Sequence, residues 1–511
     1  MDIIEGSGGA KRNWLGNMSI AITRGDDRAR TRCGGWRSLF LACTAILPMS
    51  GCANFSPDGG MQLVQDQAGA ELGKEVKKIR TEEEAAAAAA SVRELLARPL
   101  TADAAVQIAL LNNRGLQADY NELGISEAQT IEASLPPSPA FALSKLFTTG
   151  QFEIERQIVQ NVLGLLTLPR RREIAEDRFR QAQVRAVEAT LRTAAEARRT
   201  YYRAVAANQI VAFLEKARLS AESISELAKK LGQTGAMPKL DQAREHAFYA
   251  EVSAQLAVAR LRQRSLRDKL NRALGLWGRQ TVYGLPRALK GLPPPPPAIH
   301  DIETQAVLSR ADLQVARMEL AILAKEYGLT RATRFVDMLE VTGINTSDST
   351  LVPQTNGEEL RDRDKFNGFE IGFAIPIYDF GRARTRLAEE TYMRGVNQLI
   401  EKAVNVRSQA DEAYQAYRGT YDVARHFEKE ILPLREIISE QELLNYNGML
   451  TDLFALLVDA RARILANVQA IEAKRDFWLA KVDLHVAIVG GGQDGGGGLE
   501  SLALTMSSGN D

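Results

Sequence analysis

The apolar and polar positions divide the chain into long stretches of helical period and two islands of period two. Thr101 with Asp103 opens an apolar-periodic segment running to about Ala133, and Pro136-Pro137-Ser138-Pro139 ends it. From Arg170 to about Lys230, and from Pro238 to about Leu274, the helical pattern returns, rich in Ala, Arg and Glu. Helices of that length far exceed the usual 11 to 12 or so residues, and so long a stripe needs a coiled-coil partner throughout. Ala182, Ala186, Ala189, Ala197, Ala204 and Ala207 supply small residues for close helix approach.

The clearest strand alternates Phe369, Ile371, Phe373, Ile375 and Ile377 with Gly368, Glu370, Gly372, Ala374 and Pro376, giving one apolar face. Phe335–Gly343 predicts its partner, and the polar stretch Asn345–Asp364 between them predicts a long loop. Upstream, Phe141, Leu143 and Phe147, a turn near Thr149-Gly150, and Phe152, Ile154 and Ile158 repeat the theme. A soluble sheet packed on a helix would alternate in the same way.

The two halves are tandem copies. An offset of 213 places Ile174-Ala175-Glu176 on Leu387-Ala388-Glu389, Ala197 on Ala410, Tyr201 on Tyr414, Gly235 on Gly448 and Leu240 on Leu453 without a gap. Upstream the offset is 197, setting Ala109 on Ala306, Leu116-Gln117 on Leu313-Gln314 and Glu122-Leu123 on Glu319-Leu320. The second copy therefore carries sixteen extra residues between its helical segments, where the strands are expected. Each half reads helix, hairpin, helix, helix. The predicted divisions are a processed leader (1–51), a tether and helix (52–99), a first repeat (100–291), a Pro-rich linker (292–298), a second repeat (299–489) and a Gly-rich tail (490–511). Within the second division, Asn54–Gly73 reads as the tether and Glu82-Glu83-Glu84 with Ala85–Ala90 as the helix.

Charge narrows the partners. Lys plus Arg number 64 against 64 Asp plus Glu, a formal net charge of zero that argues against nucleic-acid binding. No apolar run reaches the eighteen or so residues of a membrane helix, which leaves a membrane β-barrel open. Cys33, Cys43 and Cys52 are the only cysteines, so no disulfide scaffold exists. Basic residues, the apolar stretch Leu39–Leu47 and then Met49-Ser50-Gly51-Cys52 resemble a bacterial lipoprotein signal, with Cys52 as the acylated residue and Met18 as a plausible start. An ordinary secretory signal cleaved elsewhere is the alternative. Ala53 is not the aspartate that favours inner-membrane retention in such lipoproteins, which implies the outer membrane. His246, His300, His426 and His485 lack ligand spacing, and Gly490–Gly498 lacks the frame of a phosphate loop. No enzyme, cofactor or metal site is expected. Arg170-Arg171-Arg172 reads as a solvated helix start.

Four strands cannot close a barrel within one chain, and lipid does not tolerate open sheet edges. Here the sequence resembles the outer membrane factor family, the TolC-like channels of tripartite efflux and type I secretion. The resemblance spans Leu100 to Val489 and is carried by the duplication, Leu168-Pro169-Arg170-Arg171-Arg172, Ile375-Pro376-Ile377-Tyr378-Asp379-Phe380-Gly381-Arg382, and Tyr446-Asn447-Gly448 ahead of Leu453 and Leu456. It implies a mainly α chain with a membrane β-barrel. Three copies would share twelve strands, continued by a helical tunnel, with a periplasmic adaptor and an inner-membrane transporter as partners and outer-membrane lipid around the barrel. Phe369, Ile371, Phe373 and Ile375 are the expected barrel face. The turns holding Gly235, Met237 and Leu240, and Gly448, Leu450 and Leu453, are the expected docking and gating elements, with both glycines at positive φ. Leu240 and Leu453 are expected to pack inward more than Met237 and Leu450. Family members commonly have an aspartate where Leu457 stands here, between Asp452 and Asp459. A periplasmic coiled-coil adaptor or scaffold lipoprotein is the alternative.

Overall fold

The computed structural model describes residues 55–148, 151–297, 301–353, 359–448, 450–451 and 453–491. Cys52, the Thr149-Gly150 turn, Asn356-Gly357, His300, Asp452 and the tail beyond Gly491 lie outside the described residues.

The expected tether is folded from residue 55 onward. Met61–Val64, a π-turn over Gln65–Gly69 and Ala70–Leu72 form a short helical segment. Val64 and Ala68 are fully buried with Met61, Leu72 and Val76 in the main core. Met61, Val64, Ala68 and Leu72 form one helical stripe diluted by Gln and Gly, which is why the segment reads as polar, and Val76 follows it beyond left-handed Gly73. The Thr81 hydroxyl accepts from Glu84 N–H (3.2 Å) and starts α1 (Glu82–Leu96).

The first predicted helix is two, α2 (Ala102–Asn112) and α3 (Arg114–Ser134), broken at an extended Asn113 whose side chain caps α3. β1 (Ala140–Thr148) and β2 (Gln151–Asn161) follow. Asn161 Oδ1 then accepts from Gly164 N–H (2.6 Å) to open α4 (Val162–Gln233), a 72-residue helix. It begins before the expected Arg170 and runs through Pro169. After a turn, α5 (Lys239–Leu274) returns against it and ends at left-handed Gly275. There the Asn112 amide donates to the Gly275 carbonyl (2.6 Å), and the Asn113 amide to that of Ala273 (3.0 Å).

The second repeat breaks its first helix at the equivalent place. α6 (Ile302–Ser309) and α7 (Ala311–Ala332) meet at an extended Arg310, which the 197 offset sets on Asn113. β3 (Met338–Pro353) and β4 (Glu359–Ala374) are each 16 residues long, against 9 and 11 in the first hairpin. Most of the expected loop Asn345–Asp364 is therefore strand. α8 (Arg382–His426) passes through a π-turn at Phe427–Ile431 into α9 (Leu432–Asn447), and α10 (Leu453–Val489) returns. Pro433 has no N–H to donate into the preceding turn, which accounts for the π-turn there.

The four strands form one antiparallel sheet in the order β1-β2-β3-β4, so β2 and β3 join the repeats. α4 also packs on α3, α7 and α10. Ala186, Ala189, Ala197, Ala204 and Ala207 are buried on it, with Ala182 half-buried. An aromatic layer completes the join: Tyr202 stacks on Trp478 (5.3 Å), and Phe477 sits against Tyr417 and Tyr421.

Candidate channel-forming site

Residues paired across an antiparallel sheet point to the same face. One register row joins Phe141, Ile158, Gly343 and Phe369, and the next toward the helices joins Gln160, Val341 and Ile371, followed by Leu339 with Phe373. Phe147 and Phe152 share this face nearer the hairpin tips. In the single chain Phe141, Phe147, Ile158, Phe369, Ile371 and Phe373 are exposed, Phe369 by 78%, while Phe152, Ile154 and Leu339 are half-buried. Phe369, Ile371 and Phe373 share this face of β4. Ile375 follows the last β4 residue, Ala374, and belongs to the junction instead of the strand.

The opposite face carries Glu153, Glu155, Glu340, Asp348, Asp362, Asp364 and Glu370 and, among the described residues, no Lys or Arg. The cations Lys145, Arg156, Arg361, Arg363 and Lys365 are all on the apolar face. Lys145 and Arg361 both lie over the Phe152 ring, 5.9 and 5.6 Å from its centroid. An apolar outside and a polar inside are what a transmembrane barrel wall requires. The carboxylate row went unnoticed in the sequence, although Asp362-Arg363-Asp364-Lys365 displays the alternation openly.

Among the described residues both edges of the sheet are unpaired: β1 pairs only with β2, and β4 only with β3. Between sheet and tunnel, Ile375–Gly381 form a tight junction in which Ile377 N–H donates back to the Ile375 carbonyl (2.8 Å). Phe380 (φ 50°) and Gly381 (φ 70°) are left-handed. The Gly381 and Ala383 N–H groups donate to the Asp379 carboxylate and hold its pKa below the usual range. Ile377, Tyr378 and Phe380 stand exposed here, with Leu165 and Leu166 exposed at the start of α4. Apolar and aromatic residues in this position suit a membrane interface.

At the far end, the α4–α5 turn has Gly235 at φ 77° in open space. Gly448 departs from expectation, since its φ is −80°, a conformation open to any residue. Gly448 N–H donates to the Leu444 carbonyl and Leu450 N–H to that of Asn445 at the end of α9. Leu240 also departs, being exposed where inward packing was expected, while Met237 is half-buried and Leu450 is 81% exposed. The Leu453 side chain lies outside the described residues. Leu457 is buried against Ala221, Phe248 and Val252, and Asp459 is buried with Oδ1 unpartnered, so neither stands open to solvent. The neighbouring Glu245 on α5 is fully buried, and neither carboxylate oxygen has a partner. Desolvation raises its pKa, partly countered by Arg461 and reinforced by Asp241. No sequence signal marks it.

Among the described residues no helix is long and apolar enough to cross a membrane, and no His, Cys, Asp and Glu cluster could hold a metal. His246 bonds Ser225, and His426 faces Glu430. His485 is half-buried opposite Glu71, and desolvation lowers its pKa.

The chain is a duplicated helix–hairpin–helix–helix unit with an unclosed amphipathic sheet at one end and helical turns at the other. Solved structures share it. The CmeC outer membrane channel of Campylobacter jejuni superposes with a TM-score of 0.65 at 17% identity, over 80% of this chain and 89% of its own. A membrane protein from Pseudomonas aeruginosa gives 0.62 at 17% identity, over 78% and 93%. CusC, which forms a transmembrane channel, gives 0.62 at 16% identity, over 76% and 92%. No family model and no curated protein matches the sequence. The chain has the fold of these channels.

Proposed function

We propose that the protein is the outer-membrane channel subunit of a tripartite efflux or type I secretion system, giving substrates a passive conduit across periplasm and outer membrane. The sheet carries this assignment: four strands with two open edges, an exposed apolar face and a carboxylate face. Unpaired strand edges in hydrocarbon cost several kcal/mol per group, so β1 of one copy must meet β4 of another. Three copies close twelve strands, with the carboxylates lining the lumen and α4, α5, α8, α9 and α10 forming the tunnel wall. A periplasmic adaptor lacks any need for such a sheet. The work is conduction and not catalysis, with an adaptor and an inner-membrane transporter as partners.

Two finer features belong to the same proposal. Cys52 carries the lipid anchor, as Ser50-Gly51-Cys52 suggests. Labelled palmitate should enter the wild type and not Cys52→Ser; equal labelling of both would remove the anchor. The tips around Met237, Leu240 and Leu450 dock the adaptor, since exposed apolar tips call for a partner.

The decisive experiment is purification from the outer-membrane fraction in detergent, with mass measurement and planar-bilayer conductance. A trimer with discrete channels is expected. Phe369→Arg, about 10 Å further along the exposed apolar face than Phe373, should destabilise it by about 2 to 4 kcal/mol if the position faces mid-bilayer lipid. A stable monomer without conductance would refute the assignment.

A further inference from the structure

The cations of the sheet are placed unevenly. Lys145 lies on β1, and Arg361, Arg363 and Lys365 lie on β4, the two edge strands. All four are exposed on the apolar face toward the hairpin tips, and among the described residues none is ion-paired. Arg156, one row nearer the helices on β2, donates to Asn345 Oδ1 (2.8 Å).

Within one chain β2 and β3 separate β1 from β4, by roughly 14 Å at the usual strand spacing. Closing the barrel brings β1 of one copy beside β4 of the next, so Lys145 and the three β4 cations border the same seam. Height is set by the strand rise, about 2.5 Å per residue along the axis of a barrel tilted by some 40°. Lys365 is then about 20 Å and Arg361 about 30 Å above Phe373. An apolar band of about 25 Å starting near Phe373 ends about level with Arg363, between Lys365 and Arg361. Cations on a lipid-facing wall at the edge of the hydrocarbon lie level with lipid phosphates.

We propose that each seam between copies binds a phosphate-bearing glycolipid of the outer leaflet, its phosphates on Lys145 of one copy and Arg361, Arg363 and Lys365 of the next, its acyl chains along the Phe141 and Phe369 row. The site rests on the trimeric barrel proposed above and does not exist in a single copy. Charge complementarity selects the occupant: four exposed cations, against the single carboxylate that register puts on that face of β4 at Glu359, suit an anionic headgroup with acyl chains above an apolar wall, where a zwitterionic lipid supplies no net charge and free phosphate no apolar part.

Native mass spectrometry of the detergent-purified full-length trimer, titrated with a bisphosphorylated rough lipopolysaccharide, tests it. Up to three lipids per trimer are expected. The Lys145→Gln, Arg361→Gln, Arg363→Gln, Lys365→Gln variant should bind roughly tenfold more weakly or less, as should the wild type toward the enzymatically dephosphorylated lipid. Arg171→Gln with Arg172→Gln, on the helical segment, should bind as wild type, and so should the charge-preserving Lys145→Arg with Lys365→Arg. Millimolar inorganic phosphate should not displace the lipid. A trimeric quadruple variant that binds like wild type, equal binding of dephosphorylated lipid, or displacement by phosphate overturns the site while leaving the channel standing. A protein that purifies only as a monomer overturns both.

Discussion

Replacing Glu245 should stabilise the protein, and the gain should depend on pH. Its side chain is fully buried on α5, with both carboxylate oxygens unpartnered. The nearest compensating charge, Arg461, is engaged by Glu251 through two bonds of 3.0 and 3.2 Å. A buried polar group without a partner costs about 1 to 3 kcal/mol, and more when charged, so Glu245→Leu should raise unfolding stability by at least that range at pH 7.5. Because the folded pKa lies above the unfolded value near 4.5, the folded state holds its proton the longer. Wild-type stability from this group is therefore fullest below pH 4.5 and declines as pH rises toward the folded pKa, where the loss levels off. The leucine variant lacks that decline. Urea unfolding followed by circular dichroism at pH 4 and pH 7.5 would measure it, the gap between the two proteins being wider at pH 7.5. A leucine variant less stable than wild type at pH 7.5, or a gap indifferent to pH, would show that the carboxylate has a partner in the assembled protein.

Asp312 is buried and accepts from Arg310 Nε (2.9 Å) and Leu313 N–H (2.9 Å), so Asp312→Ala should cost about 3 to 5 kcal/mol by leaving the Arg310 cation buried alone; Arg310→Met with Asp312→Leu should recover most of it in the same unfolding assay. Gly381→Ala would place a Cβ 2.2 Å from the Arg334 carbonyl oxygen on a left-handed backbone, and should sharply reduce heat-stable trimer on gels. Gly235→Val should impair export in a drug-susceptibility assay with normal trimer yield, whereas Gly448→Val, whose backbone is open to any residue, should export as wild type; equal impairment would remove the backbone rationale.

How far the sequence could be read depended on whether a feature left a periodic trace. The order of helices and hairpins did, because long apolar stripes and the duplication both survive averaging over many residues. The breaks at Asn113 and Arg310 did not, since a single extended residue shifts the helical phase too little to see in either copy alone. Their alignment under the 197 offset was available but carried no meaning until both were seen to be extended. The start of α4 shows a different limit. Residues 162–168 and 375–381 are equivalent under the 213 offset, yet the first set is helix and the second a junction. Leu163 and Leu168 permit the helix that Pro376 and Gly381 interrupt. Glu245 and the Arg310–Asp312 pair belong to tertiary burial, which one sequence does not encode locally.

The charges of the sheet explain why composition misled. Equal numbers of acids and bases make the formal net charge zero, and the alternating stretch around Asp362-Arg363-Asp364-Lys365 averages to a neutral, polar loop. A strand sends neighbouring residues to opposite faces, so the same alternation becomes an acidic wall and a basic wall back to back. Each wall has a strong local field although their sum vanishes, and only the parity of position records it. In a closed barrel the acidic wall would face the lumen, where it should favour cations over anions. The basic wall would face the lipid, where its cost falls to little at the headgroup level but not at mid-bilayer. The placement of four of the five cations toward the hairpin tips is then a consequence of the membrane's thickness, and net charge is the wrong quantity to ask of a chain that folds into a wall with two sides.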